Sequence, residues 1–416
     1  MDFDDTPEEA AVRAEARAWL DANAKRLDHS DLEGLRTHRV HTEEEDLAAL
    51  AEGKAWQRRK AEAGWAAPHW PVEHGGRGLS PLLAGVFQAE EANYDVPANM
   101  FSVGVVTVEK KIIEWGTEEQ RRHHLPRILT AEDVWCQLFS EPGAGSDLAG
   151  LTTRADLDGD EWVVTGQKVW TSAAHLSDMG VLLARTDWDA PKHRGITCLL
   201  VDMRSPGIEV RPLRQIDGAI HFNEVFLDEV RVPADRTLGP VGGGWGVAVT
   251  MLAHERTSIG GGGMYRFEQV LALARATSDL SDPVVRQRLA DLHTRFELLR
   301  FLGYRVRTAA ARGEQPGPES SVMKLAVSAL YEVGGDLVVA LQGPAGTLVG
   351  DDAPFGGRFQ GLFMGQWAPR IGGGTDQVQR NIIGERVLGL PGDVRVDKDV
   401  PFRALRGSTS PRTVGE

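Results

Sequence analysis

The sequence predicts an α+β fold in three consecutive parts. Long stretches with helical spacing and helix-start signals occupy both ends of the chain. Between them lie short β-branched and aromatic runs separated by Gly, Asp, Asn and Pro. The length, 416 residues, exceeds what one simple core organises. The expected division is an N-terminal helical domain over 1–131, a middle β-barrel or sandwich domain over 132–236, and a C-terminal four-helix bundle over 237–416.

Taken in order, Thr6-Pro-Glu-Glu9 is a capping box with proline at the first helical position, opening a helix over 6–28. Val12, Ala16 and Leu20 form its apolar face. Residues 29–44, with His29, His38 and His41, show no clear period and read as a loop or short helix. A helix is expected over 45–64, a Pro/Gly/Trp loop over 64–78, and buried helices over 81–95 and 100–115. Thr117-Glu-Glu-Gln120 is a second capping box, opening a short helix expected to stop before Pro126.

In the middle part, strands are expected at Glu161–Gly166, Lys168–Thr171, Met179–Arg185, Ile196–Asp202 and Phe222–Leu227, closed by Val230–Pro233. Helical spacing returns over 245–259, 265–278, 283–313, 319–342 and 375–388, with an exposed turn at Gly313–Pro318. The tail from Pro401 to Glu416 is polar and is expected to fray.

The net charge of −14 argues against nucleic acid or an anionic membrane as partner. A polyanionic ligand stays open, because a few local arginines hold one. The cysteines, Cys136 and Cys198, both sit in apolar runs and are expected to be buried thiols in a reducing cytoplasm. There is no zinc spacing and no stretch long and apolar enough to span a bilayer. The acidic N-terminus does not read as a signal or transit peptide.

The chemistry concentrates in Cys136-Gln-Leu-Phe-Ser-Glu-Pro-Gly-Ala-Gly-Ser-Asp147. Gly143 and Gly145 are expected to let the backbone turn tightly and approach a ligand, and such a turn offers N–H donors to a phosphate or a flavin edge. Gly166-Gln-Lys-Val-Trp-Thr-Ser172 follows. Far downstream come His254-Glu255-Arg256 and Gly372-Gly-Gly-Thr-Asp-Gln-Val-Gln-Arg380. Each alone is weak. In this order they resemble the acyl-CoA dehydrogenase family, over about residues 5–400.

The resemblance implies FAD as cofactor and an acyl-CoA as substrate. It places Gln137, Phe139 and Ser140 on the isoalloxazine, with Gly145 and Ser146 towards the pyrophosphate and the pantetheine arm. It places Trp170 against the flavin, Ser172 near N5, and Thr375 and Gln377 at a helix start that reaches the flavin phosphates and ribose. Most members carry the catalytic glutamate just before the Gly-Thr of the C-terminal motif, where this chain has Gly373. A smaller group, including isovaleryl- and long-chain-type enzymes, carries it on a C-terminal-domain helix before an arginine, as in Glu255-Arg256. Glu255 is therefore the expected base for the α-proton. The Gly373 N–H is the expected thioester-oxygen donor. Arg256 is expected to orient Glu255 or the CoA arm, with a salt bridge as the plainer role.

Two departures bear on assembly. The family's Arg-x-x-Phe-Gly segment, which clamps the neighbouring subunit's adenosine, is absent from Leu271–Leu280, where Arg275 is the one candidate. The Gly-Gly-x-Gly turn appears as Gln342-Gly-Pro-Ala-Gly346. A homo-oligomer (dimer or tetramer) and a heteromer with a paralogous chain are both open, with an electron-transfer flavoprotein as the implied acceptor. An oxidase or monooxygenase relative and one chain of a heteromeric dehydrogenase are the alternatives. Gly260–Gly263 would cost a helix about 3–4 kcal/mol relative to alanine, and suggests room for a long or bulky acyl group.

Overall fold

The computed structural model describes residues 5–28, 32, 43–97, 99–259, 265–311, 319–392, 394 and 397–405. The side chains of 253–259 are not among them. His29, His38, His41, Gly260–Gly263 and the Gly313–Pro318 turn lie outside the described residues.

Helix α1 (Pro7–Asn23) starts where expected: Thr6 Oγ1 accepts the Glu9 N–H, and Glu9 Oε2 accepts the Thr6 N–H. It ends five residues short of the expected 28. The chain there turns into the two-residue strand β1 (Lys25–Arg26), which pairs with β2 (Tyr94–Asp95). Between them run α2 (Glu43–Glu62) and α3 (Pro81–Glu91). Ala16 and Leu20 pack with Trp56, Trp65, Phe87 and Tyr94. Arg13 and Arg17 fasten α1 to the buried Glu90 of α3.

The segment expected as one helix over 100–115 is a π-helical turn, Val103–Val108, running into α4 (Glu109–Trp115). Helix α5 (Glu118–Leu129) carries the second capping box, between Thr117 and Gln120, but does not stop before Pro126. Its final turn buries Ile128 and Leu129, which offsets the hydrogen bond a proline removes.

The middle region is one sheet. Its strands are β3 (Trp135–Leu138), β4 (Arg154–Asp158), β5 (Glu161–Ser172), β6 (Met179–Arg185), β7 (Ile196–Asp202), β8 (Ile208–Leu213), β9 (Phe222–Pro233) and β10 (Thr237–Leu238). The order is β10-β7-β6-β4-β5-β9-β8, with β3 pairing parallel to β6. The runs expected as separate strands at Glu161–Gly166 and Lys168–Thr171 form the single strand β5, because both halves pair with β9 across two register shifts. Strands β6 and β7 are apolar on both faces for a reason. Val181, Leu183, Ile196, Cys198 and Leu200 face the helices, while Leu182, Ala184, Leu199 and Val201 face the other sheet core. Cys136 and Cys198 are fully buried, and burial pushes each thiol up to about 12.

Helix α6 (Gly244–Ile259) lies on the first of these faces. Val247, Ala248 and Met251 join the cluster of Val105, Val108, Val181 and Ile196. Beyond it come α7 (Phe267–Thr277), α8 (Pro283–Ala311) and α9 (Glu319–Gln342). Helix α9 is the hub of this region. It packs on α7, α8, α10 (Arg358–Gly365), α11 (Ala368–Ile371) and α12 (Asp376–Ile382), the last running into a π-helical turn at Ile383–Val387. The short α10 and α11 were not expected. The start of the tail does not fray: Pro401–Leu405 returns to the sheet, Phe402 N donates to Ala190 O, and the Phe402 ring is buried under Arg185. Among the described residues no helix is long and apolar enough to cross a membrane.

Candidate functional site

Strand β3 leads directly into the Gly-rich turn. Gln137 is half-buried on β3, Phe139 is buried just after it, and Ser140 is half-buried. Glu141 and Ala144 exchange backbone hydrogen bonds, both at 3.0 Å, which closes a tight loop over Pro142 and Gly143. Neither Gly143 nor Gly145 has a positive φ, so the turn does not demand glycine for its backbone shape. A Cβ at either position would meet nothing within 4 Å. Here the glycines leave the approach to the backbone open. The amides of Gly143, Gly145 and Ser146 have no protein acceptor among the described residues. That donor set, on an exposed turn, suits an anionic or heteroaromatic ligand edge.

Beneath the turn lies a buried ion pair that the motif reading did not include. Lys168 of β5 is completely buried, and its Nζ donates to Glu141 Oε1 at 2.8 Å and to Phe139 O at 3.0 Å. Glu141 also accepts the Thr153 N–H at 2.8 Å, the Thr152 N–H at 2.7 Å and the Thr152 hydroxyl at 2.8 Å. Burial by itself would raise this carboxyl. The Lys168 charge and these hydrogen bonds overcome it and hold Glu141 at about 2. A lysine buried this completely in a strand needs a carboxylate partner, and Glu141 supplies it.

Two residues beyond Lys168, Trp170 sits in the left-handed region, with φ of 60°, and is 61% exposed. The β5–β9 register shifts between Lys168 and Thr171, so Val169 and Trp170 oppose Glu224 alone. This bulge presents the indole outward, edge-on to Phe222 with ring centroids 6.0 Å apart. Ser172 is half-buried two positions on, next to buried Thr171. Val169 N donates to Ser140 O at 2.9 Å, so the bulge and the Gly-rich turn are joined directly. An open donor turn next to an exposed aromatic plane is the surface a flavin requires, and the residues present fit one.

The other candidates belong to the helical region. Gly373 and Gly374 have φ of 65° and 85°, which glycine alone adopts freely. Gln379 Nε2 donates to Gly373 O at 2.9 Å. Thr375 caps α12, its hydroxyl oxygen accepting the Val378 N–H at 3.2 Å, and Gln377 is exposed. Asp376, buried in the first turn of this seven-residue helix, already occupies the place where a helix start favours negative charge. Lys324 of α9 donates to it at 2.9 Å, and Arg370 adds a second cation at 3.4 Å. Burial would raise the Asp376 pKa, but these cations hold it below its usual value. Glu255 and Arg256 lie on α6, whose backbone packs on the Val103–Val108 turn, β7 and α9. Their side chains lie outside the described residues.

A polar cleft of about 430 Å³ between α2, α5 and the β6–β7 edge contains none of these candidates. Its charges are largely matched, Arg127 to Asp133 and both Lys54 and Arg204 to Asp178. The cleft therefore brings together none of the groups gathered at the turn and the bulge.

Helices flank a sheet that carries a donor turn and an exposed tryptophan on its rim, a surface on which a flavin ring could lie. Comparisons with known proteins agree. The acyl-CoA dehydrogenase N-terminal, middle and C-terminal domain families match residues 6–132, 136–230 and 242–388. The chain is 40% identical over 388 residues to the acyl-CoA dehydrogenase IpdE1 of Mycobacterium tuberculosis, covering 92% of this chain and 98% of that protein. It is similar to the solved Tcur3481-Tcur3483 steroid ACAD at 30% identity and a TM-score of 0.81, covering 94% of this chain and all of that one. It is likewise similar to the ChsE4-ChsE5 complex from Mycobacterium tuberculosis, at 29% identity and a TM-score of 0.75 over 94% of this chain and 100% of that one. The chain therefore belongs to the acyl-CoA dehydrogenase family of FAD-dependent oxidoreductases.

Proposed function

We propose that this chain catalyses α,β-dehydrogenation of an acyl-CoA thioester to the trans-2-enoyl-CoA, with Glu255 as the base. The observation that carries the reading is the outward Trp170 bulge joined to a turn whose Gly143, Gly145 and Ser146 amides have no protein acceptor among the described residues. When bound, FAD supplies the acceptor for the β-hydride. The chain's own work is to hold, orient and deprotonate. Gln137, Phe139, Ser140 and Ser172 line the approach to the ring, Trp170 packs on it, and Gly145 and Ser146 take the phosphate side and the pantetheine arm. Thr375 keeps its own hydroxyl proton to donate, and Gln377 is exposed and able to reach a ribose. A carboxylate base set between apolar substrate and cofactor would be strengthened by desolvation. The Gly373 N–H stabilises the thioester oxygen as the α-proton leaves. Arg256 orients the base or the CoA arm.

A bulky acyl group is the substrate class we favour. The likeness to a protein named a steroid ACAD supports it, as does the Gly260–Gly263 run beyond α6. Assembly with a paralogous chain is the second part of the reading. The missing adenosine clamp and the likeness to the two-chain ChsE4-ChsE5 complex support it. Several large apolar residues of the C-terminal region are exposed, among them Phe363, Trp367, Ile371, Leu388 and Leu390, and are available to another subunit. An electron-transfer flavoprotein is the proposed acceptor, and the cytoplasm the proposed compartment.

The test is anaerobic titration of the purified protein with a panel of acyl-CoAs, in wild type and Glu255→Gln. Bleaching of the flavin by wild type with loss of about three orders of magnitude in rate in the variant is expected. Bleaching that survives the substitution removes Glu255 from the mechanism. Rapid reoxidation of the substrate-reduced protein by air would mark an oxidase instead.

A further inference from the structure

We propose that the buried Lys168–Glu141 pair is a positioning device for FAD binding, holding the Gly-rich turn and the Trp170 bulge in one fixed relation. The proposal rests on the reading that these two segments face the flavin. Its basis is where the pair's bonds go. One ammonium, Lys168 Nζ, binds the carbonyl of Phe139 and the carboxylate of Glu141, on either side of Ser140. The next residue, Val169, donates its backbone N–H to Ser140 O. Three consecutive residues of the turn are thus tied to two consecutive residues of β5.

The bulge follows from this. The Val169 amide is spent on the turn, and the β5–β9 ladder skips from Lys168 to Thr171. Trp170 is left in the left-handed region with its ring outward. A non-glycine residue persists there only where its surroundings over-determine it. Glu141 supplies the rest of the anchoring through the Thr152 and Thr153 amides just before β4. A staple serving stability alone would need neither the carbonyl bond nor the bulge, since apolar residues of similar volume fill such a site as well or better. Neither residue is among those placed on the flavin above; both act through their neighbours.

The test uses the full chain, with its partner chain if FAD binding requires one. Glu141→Gln, Lys168→Met and the double variant are compared with wild type. FAD affinity is read from quenching of FAD fluorescence. The Trp170 environment is read without FAD, as the difference in emission between each protein and its Trp170→Phe counterpart. Each single variant is expected to weaken FAD binding at least tenfold and to shift the Trp170 signal. The double variant buries no lone charge. It is expected to fold even where the singles do not, and to show the same two losses.

A folded variant with FAD affinity within twofold of wild type and an unchanged Trp170 signal overturns the proposal. So does a double variant that fails to fold, which would assign the pair to the fold alone. A shifted Trp170 signal with unchanged FAD affinity also overturns it, but through the underlying reading, and Trp170→Phe alone would then bind FAD as wild type does.

Discussion

Two parts of the candidate site are built around a buried lysine–carboxylate pair, and they differ in how tightly that pair constrains its surroundings. In the sheet region, Glu141 receives bonds from Lys168, from two backbone amides and from a hydroxyl. Lys168 returns a bond to the backbone on the turn. Every residue from 139 to 141 is held. In the helical region, Lys324 and Asp376 join α9 to the start of α12, but the adjacent turn rests on glycines. Gln379 bonds to it at Gly373 O. The first arrangement can hold a tryptophan in a backbone conformation it disfavours. The second depends on residues that adopt that conformation freely. Under the proposed function, the first would be a cofactor surface built in advance and the second a thioester-facing turn with room to adjust.

The most severe test of the helical region is Lys324→Met. It would leave the Asp376 carboxylate, 7% exposed, with Arg370 at 3.4 Å as its remaining cation, and removing one partner of a buried pair costs about 3–5 kcal/mol. The thermal midpoint should fall by many degrees. A change of a degree or less would mean that Arg370 alone neutralises Asp376, and that the two buried pairs are not alike.

Gly373→Ala sharpens the other side of the contrast. At φ of 65° a side chain costs about 1–2 kcal/mol. It also reorients the N–H assigned to the thioester oxygen. Turnover should fall by about tenfold or more with FAD affinity unchanged. Equal turnover in the two proteins would take Gly373 out of the chemistry.

A gentler probe is acid. Glu141 titrates at about 2 in the folded chain, against 4.5 for the ordinary group. Its lowered pKa contributes stability that is complete above about 4.5 and is lost as pH falls through about 2. Thermal midpoints of wild type and Glu141→Gln should therefore differ by a constant amount near neutrality, and the gap should narrow from about pH 4.5 downward. A gap independent of pH would show that Glu141 is not ionised in the fold.

The smallest effect is expected far from the site. Thr6→Ala removes the α1 cap, worth about 1 kcal/mol, and should leave acyl-CoA turnover unchanged.

The order helices, sheet, helices was legible because periodicity changes near 132 and again near 242. The capping boxes at Thr6 and Thr117 marked true helix starts. Helix ends were harder: α5 runs past Pro126 because its last turn buries Ile128 and Leu129, a tertiary gain that local signals do not carry. Strand β5 looked like two strands because Gly166 and the bulge interrupt its alternation, although both halves share β9. The short α10 and α11 were hidden by glycines and by Pro369. For the site, the residue types around the turn and Trp170 stood out in order along the chain. Their supports did not. Lys168 and Glu141 are 27 positions apart and Lys324 and Asp376 are 52 apart. Each alone reads as an ordinary surface charge until the fold removes it from water.

The most direct test sets the two regions against each other in one experiment. FAD affinity and anaerobic reduction by an acyl-CoA are measured side by side for Trp170→Ala and Glu255→Gln. Trp170→Ala is expected to lose FAD affinity, while Glu255→Gln binds FAD like wild type and stays oxidised when substrate is added. An FAD affinity unaffected by Trp170→Ala, or full reduction of Glu255→Gln, would contradict that expectation.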